Sequence, residues 1–270
     1  MITCNLHGRL GNNLFQIATL ISIAKRANVD FILPSTTHAG HRGDIYADFS
    51  MFGYNFKRGK YETNVIYNEK DFSYSPNYPV HDNLKISGFF QSWKYFEDIK
   101  DLLISTYFSP SQQVSTSLSK YNVSPNSLGI SVRRGDYLML QQNHCVLSAK
   151  YYQDVLDKHF NNNIDRIYKF SDDISWCKGI FGGDVNYVED SIGVQLFLMA
   201  RMKHLIMSNS TFAWWGAYLN QNNGIIVAPN PWFGPAYADK DTKDLYYPSW
   251  VVENHNIEVQ TYSLTPNMFN

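Results

Sequence analysis

From residue 128 to residue 228, short apolar runs alternate with longer segments of helical periodicity, and few residues separate them. Strands are expected at 128–132, 166–170, 185–188, 204–207 and 224–228. Helices are expected at 149–160, 174–181, 194–203 and 211–220. This regularity constrains the fold more than any other feature of the chain. A parallel pair of strands cannot be joined by a tight turn and needs a long crossover, which a helix supplies, so the alternation argues a parallel sheet flanked by helices.

The N-terminal part opens in the same manner. A short strand over 2–6 leads through His7-Gly8-Arg9-Leu10-Gly11-Asn12 into a helix over 13–27, whose apolar Leu14, Ile17, Ala18, Ile21 and Ala24 recur at helical spacing. A further strand is expected over 29–33, stopped by Pro34. Residues 35–84 carry no sustained period and are expected to be irregular with short strands. A strand over 86–90 and a helix from Trp93 to about Ser105 follow. The Ser- and Pro-rich stretch 109–127 is the expected boundary between two domains, 1–120 and 121–270.

At 270 residues, with 44% hydrophobic and 17% charged content, the chain can bury a full core. A formal net charge of -1 gives no broad basic field, which disfavours binding to a nucleic-acid backbone. No basic segment followed by a long apolar stretch opens the chain, and no run approaches the roughly 20 apolar residues of a membrane span. A cytoplasmic chain without signal or anchor is expected, with peripheral docking on the inner face of a membrane left open. Cys4, Cys145 and Cys177 are odd in number and far apart, so they read as reduced thiols.

The segment Ile130-Ser131-Val132-Arg133-Arg134-Gly135-Asp136-Tyr137 stops a buried strand on two guanidinium groups, a glycine and a carboxylate. Ligands of open α/β sheets bind at that strand end, and arginine's planar fork matches phosphate oxygens two at a time. Taken alone, a structural ion pair explains the motif as well. Other loops after expected strands should converge on it. Asp172 and Asp173 are placed either to read a base or ribose or to cap the next helix. Ser208, Asn209, Ser210 and Thr211 meet a helix N-terminus, a second phosphate site or a cap. Glu189 and Asp190 complete the rim as candidate acid or base, or as a solvated turn. The loop with Gly8 and Gly11 matches neither a dinucleotide fingerprint nor a P-loop. Neither the His residues nor any Asp-x-Asp pair suggests a metal site, so no metal and no cofactor are expected. The positive charge for a leaving diphosphate would then come from arginines and helix termini.

Six blocks together resemble glycosyltransferase family 11, the α-1,2-fucosyltransferases that use GDP-fucose. They are Gly8-Arg9-Leu10-Gly11-Asn12-Asn13-Leu14-Phe15-Gln16; Gly88-Phe89-Phe90-Gln91-Ser92 with Tyr95-Phe96; Val132 to Tyr137; Phe170-Ser171-Asp172-Asp173 with Trp176; Ser208 to Asn220; and Ala228-Pro229 with Trp232-Phe233. The resemblance implies two Rossmann-like domains facing across a cleft (GT-B type), the donor on the C-terminal one and the acceptor approaching mainly from the N-terminal one. It implies inverting, metal-independent transfer of L-fucose from GDP-fucose to the 2-hydroxyl of a terminal galactose on an oligosaccharide. Arg133, Arg134 and Asp136 are the expected catalytic residues, with Asp136 orienting the arginines, because a carboxylate paired to guanidinium is a poor proton acceptor. Gly11, Asn12, Asn13, Gln16, Ser131, Arg133, Asp172, Asp173, Asn209, Ser210, Thr211 and Phe212 are expected on the donor. Gln91, Trp93, Tyr95, Glu189 and Asp190 are expected on the acceptor side. The family pattern His-x-Arg-Arg-x-Asp has Ser131 at its histidine here, the position that in related fucosyltransferases helps hold guanine. A transferase for another nucleotide sugar and a non-catalytic carbohydrate-binding module are the competing readings.

Overall fold

A computed structural model describes residues 1–160, 164–182 and 185–257. Six strands form an all-parallel sheet: β6 (Ser127–Val132), β7 (Arg166–Ser171), β8 (Asn186–Tyr187), β9 (His204–Ile206), β10 (Ile226–Asn230) and β11 (Val251–Asn254). Their order is β11-β10-β9-β6-β7-β8, so the chain winds outward from β6 in one direction and then from β9 in the other. The point of reversal between β6 and β9 is where such sheets hold ligands. A second parallel sheet, β1-β5-β4, is built from β1 (Ile2–Cys4), β4 (Ile66–Asn68) and β5 (Leu84–Ser87), and β2 (Thr36–His38) with β3 (Asp44–Tyr46) makes an antiparallel pair.

The helices are α1 (Leu10–Ala27), the single turn α2 (Lys100–Leu102), α3 (Gln112–Leu118), α4 (Ala149–His159), α5 (Ile174–Phe181), α6 (Ile192–Arg201) and α7 (Thr211–Tyr218). Every residue of β6 is buried, as expected of a central parallel strand covered on both faces. Its alternate residues Leu128, Ile130 and Val132 pack with Tyr151, Tyr152 and Val155 of α4 and Cys177 of α5 in one core. A larger core takes in the other face of the sheet and continues without a break through α7 into α1 and the three-stranded sheet. At that junction Phe15 of α1 lies 4.3 Å from Trp214 and 5.1 Å from Trp215, ring centre to ring centre. Both tryptophans are fully buried.

The alternating half follows the sequence within a few residues at each boundary. Three elements differ. The helix expected from Trp93 breaks into 3-10 turns Trp93–Tyr95 and Glu97–Ile99, then α2, then a π-turn Leu103–Tyr107. Tyr95, Phe96 and Leu103 are all fully buried, and serving that many directions at once overrides a regular period. Within the expected Ser/Pro linker, α3 forms because Ser111 accepts from the Val114 amide and Val114 and Leu118 bury one face. The strand expected over 29–33 is reduced to isolated bridges, Ile2 with Phe31 and Leu33 with Arg58. Cys4, Cys145 and Cys177 are buried and unpaired, and no helix among the described residues is long and apolar enough to cross a membrane. Residues 258–270, the end of the expected C-terminal domain, lie outside the described residues.

The α1–α7 junction is tight at one residue. The Gly11 carbonyl accepts from Trp215 Nε1 at 2.9 Å, and a Cβ on Gly11 would stand 2.5 Å from both the Phe212 amide nitrogen and Thr211 Oγ1. Backbone cannot give way as a side chain can, so Gly11→Ala is expected to cost about 1–3 kcal/mol and to lower the thermal midpoint by several degrees. Gly179→Ala, whose Cβ meets nothing within 4 Å, serves as the comparison. Equal midpoints in thermal unfolding of the two variants would show that α7 can back away.

Candidate active site

The C-terminal ends of β6, β7, β9 and β10 open into a cleft of about 640 Å³, closed from the other side by the loop before α1 and by Phe72, Phe89 and Gln91. Arg133 leaves the end of β6 into this space. Its Nη1 pairs with Asp172 Oδ2 and its Nη2 with Asp136 Oδ1, while its guanidinium carbon sits 4.9 Å from the centre of the Tyr137 ring. Asp172 Oδ1 in turn accepts from the Arg134 amide at 2.9 Å, and Asp136 Oδ2 pairs with Arg9 Nη2 at 2.5 Å. Asp136 therefore ties the N-terminal loop to the β6 arginine. Gly135 permits the arrangement: its φ is +24°, and a Cβ there would fall 2.3 Å from Asp172 Oδ2.

The α1 and α7 N-termini converge on the same cleft, since Gly8 to Asn12 and Ser210 to Phe212 all line it. First-turn amides and the helix dipole make each end favourable for an anion, with one amide of α7, that of Phe212, already donating to the Ser210 hydroxyl. Asn12 Oδ1 joins the two ends, accepting from Thr211 Oγ1 at 2.9 Å and from Gln91 Nε2 at 3.0 Å. The buried Ser131 and Ser208 hydroxyls lie 3.1 Å apart between β6 and β9, at the point where the winding reverses. Asn209 spends Nδ2 on the carbonyls of Cys145 and Trp232, fixing the loop walls. The side chains that line the cleft include three cations, Arg9, Arg133 and Lys240, and two carboxylates, Asp136 and Asp172.

Of the residues expected at the site, Gly11, Asn12, Gln91, Ser131, Arg133, Asp136, Asp172, Asn209, Ser210, Thr211 and Phe212 line the cleft. The others do not. Arg134 turns inward, with Nε 3.1 Å from Asp173 Oδ2 and its guanidinium over Trp176. Asp173 caps α5 through the Trp176 amide. Asn13 and Gln16 are buried beneath the loop and hold it, Asn13 through the His7 carbonyl and Thr37, Gln16 through both polar groups of the His7 backbone and the Gly88 carbonyl. Trp93 donates to the Tyr246 carbonyl, and Tyr95 is fully buried with its hydroxyl accepting from the Ser75 amide. Glu189 pairs with Lys178, and Asp190 accepts from Tyr121 and the Ser191 amide. No cluster of three His, Cys, Asp or Glu side chains that could hold a metal ion occurs among the described residues.

Several cleft residues carry no legible signal in the sequence. Arg9, Tyr137 and Phe233 fall within matching blocks without an expected role, and His144, Phe72, Tyr237 and Lys240 lie in stretches whose aromatic content looks like core. Tyr137 stacks on His144 at 4.4 Å and 12°. Burial pushes the Tyr137 hydroxyl up to about 12 and pulls the His144 imidazole below its usual value. Glu69, beyond β4, props the turn that carries Phe89: its Oε2 accepts from the Phe89 and Phe90 amides at 2.7 and 2.9 Å, and Oε1 is enclosed without a hydrogen-bond partner among the described residues.

Burial raises the Glu69 carboxyl from 4.5 to about 7, against the pull of those two amides. The folded chain therefore takes the proton at a higher pH than the unfolded chain does. This contribution to stability is full below about pH 4.5 and is lost as pH rises through 7. Glu69→Gln is expected to flatten the fall of the thermal midpoint over that window, and a midpoint falling in parallel with wild type would clear Glu69 of the effect.

The family model of glycosyl transferase family 11 matches residues 1–254. An α-1,2-colitosyltransferase of Escherichia coli is 29% identical over 274 residues, covering 86% of this chain and 92% of the relative. A galactoside α-(1,2)-fucosyltransferase 2 of Gorilla gorilla gorilla is 24% identical, covering 84% and 71%. Two solved structures of POFUT1, with GDP-fucose and with GDP, superpose at TM-scores of 0.51 and 0.53 with 11% and 12% identity, each over 83% of this chain and 94% of the other. At that identity they show a common α/β fold with parallel sheets. With nearly its whole length matched, the chain belongs to glycosyl transferase family 11.

Proposed function

We propose that the chain transfers L-fucose from GDP-fucose to the 2-hydroxyl of a terminal galactose, forming an α-1,2 linkage with inversion and without a metal ion. The observation that carries this reading is Arg133, fixed by two carboxylates at the reversal of the sheet and flanked by the N-termini of α1 and α7. Both relatives are named for an α-1,2 linkage, and one of the POFUT1 structures that share the fold is a complex with GDP-fucose. A division into an acceptor-side unit, 1–120, and a donor-side unit, 121–270, belongs to the same reading.

In this mechanism the acceptor oxygen attacks the anomeric carbon from the face opposite GDP. The bond from that carbon to the β-phosphate oxygen breaks, its electron pair stays with the phosphate, and the acceptor hydroxyl passes its proton to solvent water as the new bond forms. Negative charge grows on the departing phosphate, where Arg133, the α7 N-terminus and Arg9 supply preorganised positive potential. Asp136 and Asp172 spend their oxygens on guanidinium and amide groups, which suits them to aiming Arg133.

The colitosyltransferase relative, which the chain matches over most of both lengths, favours a colitosyl donor as the second reading. The test is transfer to lactose from GDP-fucose, and in parallel from GDP-colitose, by wild type and Arg133→Ala, with and without EDTA. Losing one such donor group is expected to lower kcat by about 10²–10³, or about 2.7–4 kcal/mol. Near-normal turnover by Arg133→Ala removes the leaving-group role, faster transfer from the colitosyl donor replaces the fucosyl reading, and loss of activity in EDTA replaces the metal-free one.

A further inference from the structure

The sheet order divides the floor of the cleft into two wings. On one side of the β6–β9 reversal lie Ser171 at the end of β7 and Asp172 after it, with Gln195 of α6; on the other lie Phe233, Tyr237 and Lys240 after β10. Since β6 and β9 intervene, β7 and β10 stand three strand spacings apart, about 14 Å. A nucleoside diphosphate held at the reversal fills one wing and leaves the other for a second substrate. The β7 wing offers hydrogen-bonding groups. The β10 wing offers ring faces.

Those rings form a continuous row from the reacting end outward. Tyr137, under Arg133, stacks on His144; the His144 ring centre is 6.0 Å from that of Phe233, and Phe233 is 5.2 Å from Phe72. Phe72 comes from beyond β4, so the row crosses the cleft. Lys240 Nζ sits at its rim, 5.6 Å from the Phe72 ring and 4.9 Å from the Tyr237 ring, and makes no ion pair among the described residues. Core rings such as Phe15 and Trp215 are shut from solvent, whereas these are half-buried and face the cleft.

We propose that the β10 wing is the acceptor subsite, a reading that rests on the transfer reaction proposed above. A galactopyranose carries a contiguous C–H face, which stacks on Phe72, with Phe233 standing at 74° to that ring as a side wall, and its hydroxyls take hydrogen bonds from Lys240. The row then leads its 2-hydroxyl toward the carbon released at Arg133. The subsite is thus built mainly by the loop after β10, with Phe72 as the contribution of the N-terminal part, and not by Trp93, Tyr95, Glu189 or Asp190.

The experiment is steady-state transfer from GDP-fucose to lactose by wild type, Phe72→Ala, Phe72→Tyr and Lys240→Met, with a calorimetric GDP titration of each. Phe72→Ala is expected to raise the lactose KM about tenfold and Lys240→Met severalfold, with GDP affinity kept and Phe72→Tyr close to wild type. Retained GDP affinity also certifies that each variant is folded. Unchanged lactose KM in both Phe72→Ala and Lys240→Met overturns the subsite while the transfer reaction stands. Loss of GDP affinity with lactose KM intact places the nucleotide on this wing and overturns it equally. A wild type that transfers to no galactoside overturns the parent reading and the subsite with it.

Discussion

Everything at the site depends on the contact of the α7 N-terminus with the glycine loop that opens α1. Trp215 reaches Gly11 by a hydrogen bond, Thr211 reaches Asn12, and Phe15 wedges against both tryptophans, so the two halves of the chain meet over a buried aromatic core. This brings the positive ends of two helix dipoles together, each equivalent to roughly half a charge. Such a pair of like ends is unfavourable unless something negative faces it. Asp136, shared between Arg9 and Arg133, is the carboxylate the chain itself supplies there, and a diphosphate would answer the same field more fully.

Arg133 shows how that field is kept ready. A guanidinium left free on the cleft wall would have to be ordered at the moment of reaction. Two carboxylates fix this one beforehand, and preorganisation of that kind is what makes a charged donor effective on a departing phosphate. The same pairing reduces the net charge of the cleft. Orientation is gained at the expense of raw potential, and the helix ends make up part of the difference. Gly135 is the backbone condition for the whole arrangement, because any side chain at its position would occupy the space of Asp172 Oδ2.

Much of this was legible in the sequence. The strand–helix alternation from 128 to 228 reproduces the parallel sheet, because buried parallel strands and amphipathic crossovers leave clean local patterns. The convergence of Arg133 with Asp172 and Ser208 to Thr211 followed from placing each at a strand end. What could not be read is where competing local roles were won by packing. Asn13, Gln16, Arg134 and Asp173 have polar ends that suit a ligand equally well, and only the fold reveals that backbone groups or each other satisfy them. The aromatic loops after β10 and around Phe72 have no period at all. Their grouping comes from long-range closure of the chain, which leaves no trace in local spacing.

Ser131 sits where the family resemblance has histidine, and its geometry tells what that exchange means. Its hydroxyl meets Ser208 between the two strands at the reversal, and its carbonyl accepts from the buried Tyr152 hydroxyl. The side chain therefore lies low, under the expected diphosphate and inside the floor of the cleft. Under the transfer reaction proposed above, a serine this short would leave recognition of the base to groups on the β7 wing. Gln195 and Ser171 line that wing, and neither belongs to the arginine motif. Under the transfer reaction proposed above, binding of the phosphates and recognition of the base would be carried by separate elements of this chain, the first by the strand ends at the reversal and the second by the end of β7 and by α6.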